Sequence, residues 1–354
     1  MMFKIFSLEQ DHEIHRLIEQ CTPNDFHCHP NYLRLFSEYL STEGMYAFYG
    51  DEKNYILTPI FKKRLSASKK DEVVFHLFSP WYYGGPIYHV TDQTVLLKTF
   101  RSWRKELDKY CQENNIISEM YRLNPIIDNH LLFSNDTSLS YNRDIVVIDL
   151  RKDLSQIYDE YAHKVRKNIK KAERSGLKII HSNNKEDFEK FIEVYLLSMR
   201  EKNVDSFYHF DNNFFSKLFT FFSTDLEIFR VEYQEKTIAA TVVLGKYKIL
   251  HDYLRGSLTQ YLFLRPNDIM IHNIINFAKD KGYDYYSLGG GASTNPDDPI
   301  FNFKKSFSPV TKKFYTYKKI HNLEKYLELC LLSGKKKDEL VYEQASFFPE
   351  YLKP

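Results

Sequence analysis

The hydrophobic period of this chain changes from helical to extended and back in the same order twice, and few folds accommodate that. In the second half a short strand (177–181) precedes a helix that sets Phe188, Phe191, Ile192, Tyr195, Leu196 and Met199 on one face at three- and four-residue spacing. A second helix opens at the N-cap Asp211 and buries Phe214, Phe215, Leu218, Phe219 and Phe222. The period then falls to two over 226–233, 237–247 and 248–257, which reads as an antiparallel meander. A helix over 267–281, stopped at Gly282, leads to a strand at 283–288, the glycine run Gly289–Gly291, a Pro/Asp loop and a last strand at 312–320.

The first half follows that order without repeating the sequence. It has a helix at 31–40, strands at 45–49, 54–61 and 73–78, and a loop at 79–86. A helix with Leu96, Phe100, Trp103, Leu107 and Tyr110 on one face and a strand at 116–122 complete it. The expectation is an α/β protein of two tandem units, 1–150 and 151–320, each a mixed, mostly antiparallel sheet flanked by helices, with a helical appendage at 321–354.

Composition removes several function classes. Across 354 residues, 49 Lys+Arg stand against 47 Asp+Glu, and a net charge of +2 does not suit a strongly basic DNA binder. Aromatic residues reach 16%, as a folded core requires. No apolar run approaches the ~20 residues that span a bilayer, and the N-terminus turns charged before a signal-peptide core could form. Four cysteines in a chain of this length point to reduced thiols and a cytoplasmic location. Cys21, His27, Cys28 and His29 include zinc-ligand types, but three adjacent residues do not converge on one tetrahedral ion, so no metal is expected.

One helix concentrates charge. Asp153 with Gln156 forms a capping-box pattern, Gly176 fits the stop, and Tyr158, Tyr161/Ala162, Val165, Ile169 and Ala172 form a narrow apolar stripe. Around it stand Lys164, Arg166, Lys167, Lys170, Lys171 and Arg174, opposed only by Glu173. Crowded like charges repel, so the face is either solvated or meets an anion, a nucleotide or an RNA.

The element order, with several local motifs, resembles the GNAT acyltransferases, and among them the FemA/FemB-like aminoacyltransferases and their acetyltransferase-like relatives. The motifs are HKVRKNIKKAERSG (163–176), YYSLGGG (285–291) followed by FNFKKSF (301–307), and in the first half FHCHPNY (26–32) and SPWYYGGP (79–86). The resemblance covers roughly 20–320. It implies direct transfer of an acyl group, acetyl in the first reading and aminoacyl in the second, onto an amine or hydroxyl. The acceptor class it implies is a cell-wall or surface-polysaccharide precursor, linked to a nucleotide or lipid.

By that resemblance Lys304, after Phe303, stabilises the charge developing on the carbonyl or leaving oxygen, as a fixed cation in a dry pocket can. The strand 249–256 carries His251, Tyr253 and Arg255 at alternate positions, with Asp252 and Leu254 on the other face. His251 has the ordinary pKa of a proton acceptor, with water as its rival, and Arg255 can grip a carboxylate or phosphate. Arg166 matches the family's recurrent cation, and Gly290 permits close approach of a ligand. Gly84 and Gly85, flanked by Trp81, Tyr82 and Tyr83, make the first-half loop a candidate acceptor contact, with Tyr83 as its binding residue. Coenzyme-A-binding relatives place a glycine-rich loop between the fourth strand and its helix, whereas 257–267 here contains no glycine. That leaves acyl-coenzyme A and aminoacyl-tRNA both open as donors. From another class, a non-catalytic scaffold or RNA-binding module remains a rival.

Overall fold

The computed structural model describes residues 1–66, 73–345 and 347–353. In chain order the elements are β1 (Met2–Ser7), α1 (Asp11–Gln20), α2 (Pro30–Tyr39), β2 (Glu43–Gly50), β3 (Tyr55–Ser66), β4 (Val73–Phe78), β5 (Ile87–His89), α3 (Gln93–Glu113), β6 (Ile116–Arg122) and β7 (Leu139–Asp149). There follow α4 (Leu154–Glu160), α5 (His163–Arg174), β8 (Lys178–Ser182), α6 (Lys185–Glu201), α7 (Asn212–Phe221), β9 (Leu226–Tyr233), β10 (Lys236–Lys246) and β11 (Ile249–Ser257). The last are α8 (Pro266–Asp280), β12 (Tyr285–Gly289), α9 (Pro299–Lys305), β13 (Thr311–Ile320) and α10 (Leu323–Leu332). Among the described residues no helix is long and apolar enough to cross a membrane.

Contacts divide the chain into two compact units, Met1–Asn142 with Lys313–Pro354, and Arg143–Lys312. In the first, strands run β1-β2-β3-β4-β6-β13, antiparallel except for the parallel β4–β6 pair. Its core sets Met45, Ile56, Ile60 and Leu77 of the sheet against Leu96, Phe100, Trp103 and Leu107 of α3, the face the helical spacing foretells. β1 and α1, unassigned from sequence, complete the β-α-α-β-β-β-α-β order here.

The unit boundary falls at 142/143 rather than 150, and the C-terminal segment belongs to the first unit instead of standing as an appendage. β13 pairs antiparallel with β6, matching Thr316–Ile320 to Arg122–Ser118. Beyond it, Tyr326, Cys330, Phe348 and Tyr351 bury against Leu65, Val74 and Ile117.

The second unit orders its strands β7-β12-β11-β10-β9-β8, with only β11–β12 parallel. The single helix expected over 153–175 is two. The Asp153/Gln156 capping box forms, but α4 ends at Glu160 and Tyr161–Ala162 is extended. There the Ala162 N–H donates to Ser306 O at 2.8 Å, a tertiary bond that local sequence does not announce. Val165, Ile169 and Ala172 of α5 then bury with Ile271, Ile274 and Ile275 of α8 in one core.

Candidate active site

In the second unit, β11 and β12 pair only at Ile249–His251 with Tyr285–Ser287. Beyond that point β11 continues along β10 to Ser257, while β12 continues along β7 to Gly289. The two strands therefore part, and the backbone groups facing the gap have no ladder partner across it. A register shift at Val242/Val243 leaves Tyr253 as the extra residue of a β-bulge. Past the bulge strict alternation fails. Asp252 and Arg255, expected on opposite faces, meet in an ion pair with Nη2–Oδ2 at 2.8 Å. Thr241 Oγ1 donates to the other oxygen of Asp252 at 2.8 Å, and Arg255 Nη2 lies 3.5 Å from the Tyr286 hydroxyl. Arg255 Nη1 is buried with no hydrogen-bond partner among the described residues.

The glycine run turns the chain away from β12. Gly289 sits at φ +73°, where a side chain would be strained, and a Cβ on Gly291 would lie 2.4 Å from Asp298 Oδ1. Asp298 caps α9 by accepting from the Ile300 and Phe301 N–H groups, and its second oxygen accepts from the Ser293 N–H and hydroxyl. Burial pushes Asp298 up, but these donors outweigh it and hold the carboxyl down at about 2. Arg143 donates to Gly291 O at 3.1 Å, fastening the other side of the loop.

This frame delivers Lys304, on the last turn of α9, to the gap, where its Nζ donates to Gly290 O at 2.7 Å. The stem keeps some exposure, but the ammonium is surrounded by protein. Burial is the main force that lowers its pKa, to about 8; Asp252 and Asp298 pull it up, and Arg255 and Arg143 push it further down. A lysine that loses its proton so easily holds its charge weakly, and a developing negative charge in the gap would stabilise it.

Of the residues expected at the site, the structure gathers Lys304, Arg255 and Gly290 at the gap. His251 is fully buried on β11, paired in register with Ser287, and Tyr253 is the buried bulge residue. Phe303, next to Lys304 in the chain, packs against the core with its ring 5.4 Å from that of Phe307. Arg166 has a different job: its Nη1 donates to the carbonyls of Asp159 (3.0 Å), Tyr161 (2.9 Å) and Tyr158 (3.4 Å), closing the end of α4. Tyr83 belongs to the first unit, where it is buried edge-on to Tyr82 and Phe314. Sequence reasoning missed Asp298, Arg143 and Lys202. Lys202 Nζ donates to Ser198 Oγ at 2.8 Å and to Ser257 O at 3.2 Å, at the end of β11. A D-P pair at a helix start signalled Asp298; nothing local marked the other two.

Two further features bear on ligands. The segment between β11 and α8 is a 3-10 turn, Thr259–Leu264, that buries Leu264, with Arg265 at φ +64°. α8 opens with Pro266, which has no N–H, and carries the buried Asp268 in its first turn, bonded by Asn168 Nδ2 at 2.9 Å. On α5, Lys164, Lys167, Lys170, Lys171 and Arg174 are exposed.

Residues 160–305 match the acetyltransferase (GNAT) domain model. The UDP-N-acetylmuramoylpentapeptide-lysine N(6)-alanyltransferase of Weissella viridescens is 28% identical over 191 residues, 52% of this chain and 55% of that one. The chain thus spans about half the length of this curated relative. Among solved structures, FemX superposes with a TM-score of 0.68 at 9% identity, covering 92% of this chain and 99% of FemX. The C-terminal domain of a putative lysylphosphatidylglycerol synthetase from Agrobacterium fabrum gives 0.55 at 12%, covering 92% and 94%. The chain carries the GNAT fold in tandem. In sequence it is similar to an alanyltransferase over about half its length, and in fold to FemX.

Proposed function

We propose that this protein is an aminoacyltransferase of cell-wall synthesis, moving an aminoacyl group from aminoacyl-tRNA to an amine of a muramyl-peptide precursor in the cytosol. The observation that carries this reading is the Lys304 ammonium held on Gly290 O where β11 and β12 part. The acceptor nitrogen attacks the ester carbonyl; a C–N bond forms, the C–O bond of the ester breaks, and the ribose oxygen leaves with a proton. Lys304 stabilises the oxyanion of the tetrahedral intermediate and hands its proton to the departing oxygen, to be reprotonated from water. The proton lost by the amine goes to water or to His251. Arg255, through the unpartnered Nη1, binds a carboxylate or phosphate of either substrate.

An acetyl group from coenzyme A was the first reading of the sequence, and two features favour the aminoacyl donor instead. The Weissella relative is an alanyltransferase by name. At the helix where a pyrophosphate would use free N–H groups, this chain places Pro266 and the carboxyl of Asp268, which burial pushes up. The test is turnover of UDP-N-acetylmuramoyl-pentapeptide with alanyl-tRNA or acetyl-coenzyme A as donor. Alanyl transfer that Lys304→Ala slows about 10²–10³-fold is expected; acetyl transfer alone would overturn the reading.

A further inference from the structure

Of the six cations of α5, one is used within the protein and four others gather on one face. Arg166 is spent on the carbonyls at the end of α4. Lys167, Lys170, Lys171 and Arg174 lie at i, i+3, i+4 and i+7, which puts them on one side of the helix across ~10 Å of its axis. All four are exposed, and with Ser175 they line an open depression of about 440 Å³. Unlike the cations of α6, where Lys185 and Lys190 each face a glutamate one turn away, none of these four makes an ion pair among the described residues. Like charges at these spacings destabilise a helix, so the face is held at a cost that an anion would remove.

We infer that this face of α5 is the docking surface for the phosphate backbone of the RNA donor, separate from the chemistry at Lys304. The inference rests on the aminoacyl-tRNA reading given above. A depression lined by cations suits a ridge of phosphates. A flat anionic membrane would also want apolar side chains to insert beside the charge, and the depression's lining contains none. Phosphate contacts need no base-specific geometry, only fixed cations, and they release counterions on binding.

The experiment is binding of a labelled hairpin RNA ending in a single-stranded CCA, with the full chain, at about 50 and 200 mM salt. Four phosphate contacts predict a log–log salt slope near about −3 to −4, and hence roughly a hundredfold loss of affinity over that range. The variant Lys167→Ala/Lys170→Ala/Lys171→Ala/Arg174→Ala should lose most of that slope and raise KM for alanyl-tRNA about tenfold or more, with kcat unchanged. If four changes unfold the chain, Lys167→Ala/Lys171→Ala should remove about half the slope. The control Lys178→Ala/Lys185→Ala should leave both readouts as in the parent chain. An unchanged slope, a raised KM for the nucleotide-linked acceptor alone, or vesicle binding with which RNA does not compete would each overturn the assignment. Failure of the two ideas is separable. Lys304→Ala should slow transfer about a hundredfold or more while hairpin binding stays intact; α5-dependent hairpin binding without any alanyl transfer by the parent chain would sink the proposed reaction and leave the docking surface standing.

Discussion

The two units share one topology and treat its central parallel pair in opposite ways. In the first, β4 and β6 pair from Phe75–Ile116 to Phe78–Met120, and the following loop keeps the seam closed: Ser79 N–H donates to Met120 O, Gly84 N–H to Arg122 O, and Asn124 N–H to Gly84 O. In the second, the equivalent strands part after three residue pairs. The charges follow suit. Behind the closed seam, Arg104 contacts Glu119 (2.7 Å) and Asp108 (2.8 Å), Lys319 shares Asp108, and Tyr121 donates to Glu119 at 2.8 Å. At the open one, Arg255 takes Asp252 as its ion-pair partner, Lys304 is drawn by Asp252 and Asp298 but makes no ion pair among the described residues, and Lys202 lies close enough for Arg255 to lower its pKa further after burial has done so. A sheet that is sealed balances its buried charges internally; a sheet that is parted leaves positive charge unbalanced for a ligand.

The comparison breaks first at Glu119. Glu119→Gln leaves the buried Arg104 with Asp108 alone and should cost about 3–5 kcal/mol in denaturant unfolding at pH 7, with turnover per folded molecule unchanged. Burial alone would raise the Glu119 pKa, but Arg104 and His321 hold it down at about 2. The stability it contributes is therefore complete above its unfolded value and lost as pH falls towards about 2, so the deficit of the variant should shrink over that window. A large loss of turnover at full folding would mean that the sealed unit also takes part in chemistry.

Lys304 should behave in the reverse manner. Lys304→Ala should lower kcat about 10²–10³-fold, checked by single-turnover transfer. If it acts as a cation, kcat of the parent protein should fall as pH rises through about 8. Because its folded pKa is depressed, the parent chain gains stability between about 8 and the unfolded lysine value, so a Lys304→Met variant should melt higher at pH 7 and lose that advantage above pH 8. Next in size, Gly291→Ala forces Asp298 aside and with it the start of α9; a shift of about 1 Å at Lys304 should lower kcat about a hundredfold. The smallest effect is Arg166→Ala, which frees three carbonyls and should cost about 1–2 kcal/mol in thermal unfolding without changing the salt slope of RNA binding.

What the sequence made legible is what short-range pattern encodes. The 3.6-residue stripes of α3, α6 and α7, the three-strand meander and the Asp211 cap all lie where spacing puts them. The motif bearing Lys304 was visible because phenylalanines flank it. What escaped depends on distant partners. No residue near Tyr161 breaks a helix by propensity; Ser306, far along the chain, does so with one hydrogen bond. The bulge at Tyr253 exists only relative to β10, so the faces of Asp252 and Arg255 could not be assigned from β11 alone. β1 was missed because it is only six residues long, and α1 because charged residues crowd its short apolar stripe.

The first unit is assembled from both ends of the chain, with the whole of the second unit lying between Asn142 and Lys313. A ribosome therefore delivers every residue of the open unit before the strand that covers β6 has been made. Through that interval the sealed unit waits with a bare edge, a template for pairing with another nascent chain. Birth order thus completes the half that carries the proposed site before the other half is sealed, and a premature stop near residue 310 should yield a product lost to aggregation although it encodes every residue of the open gap.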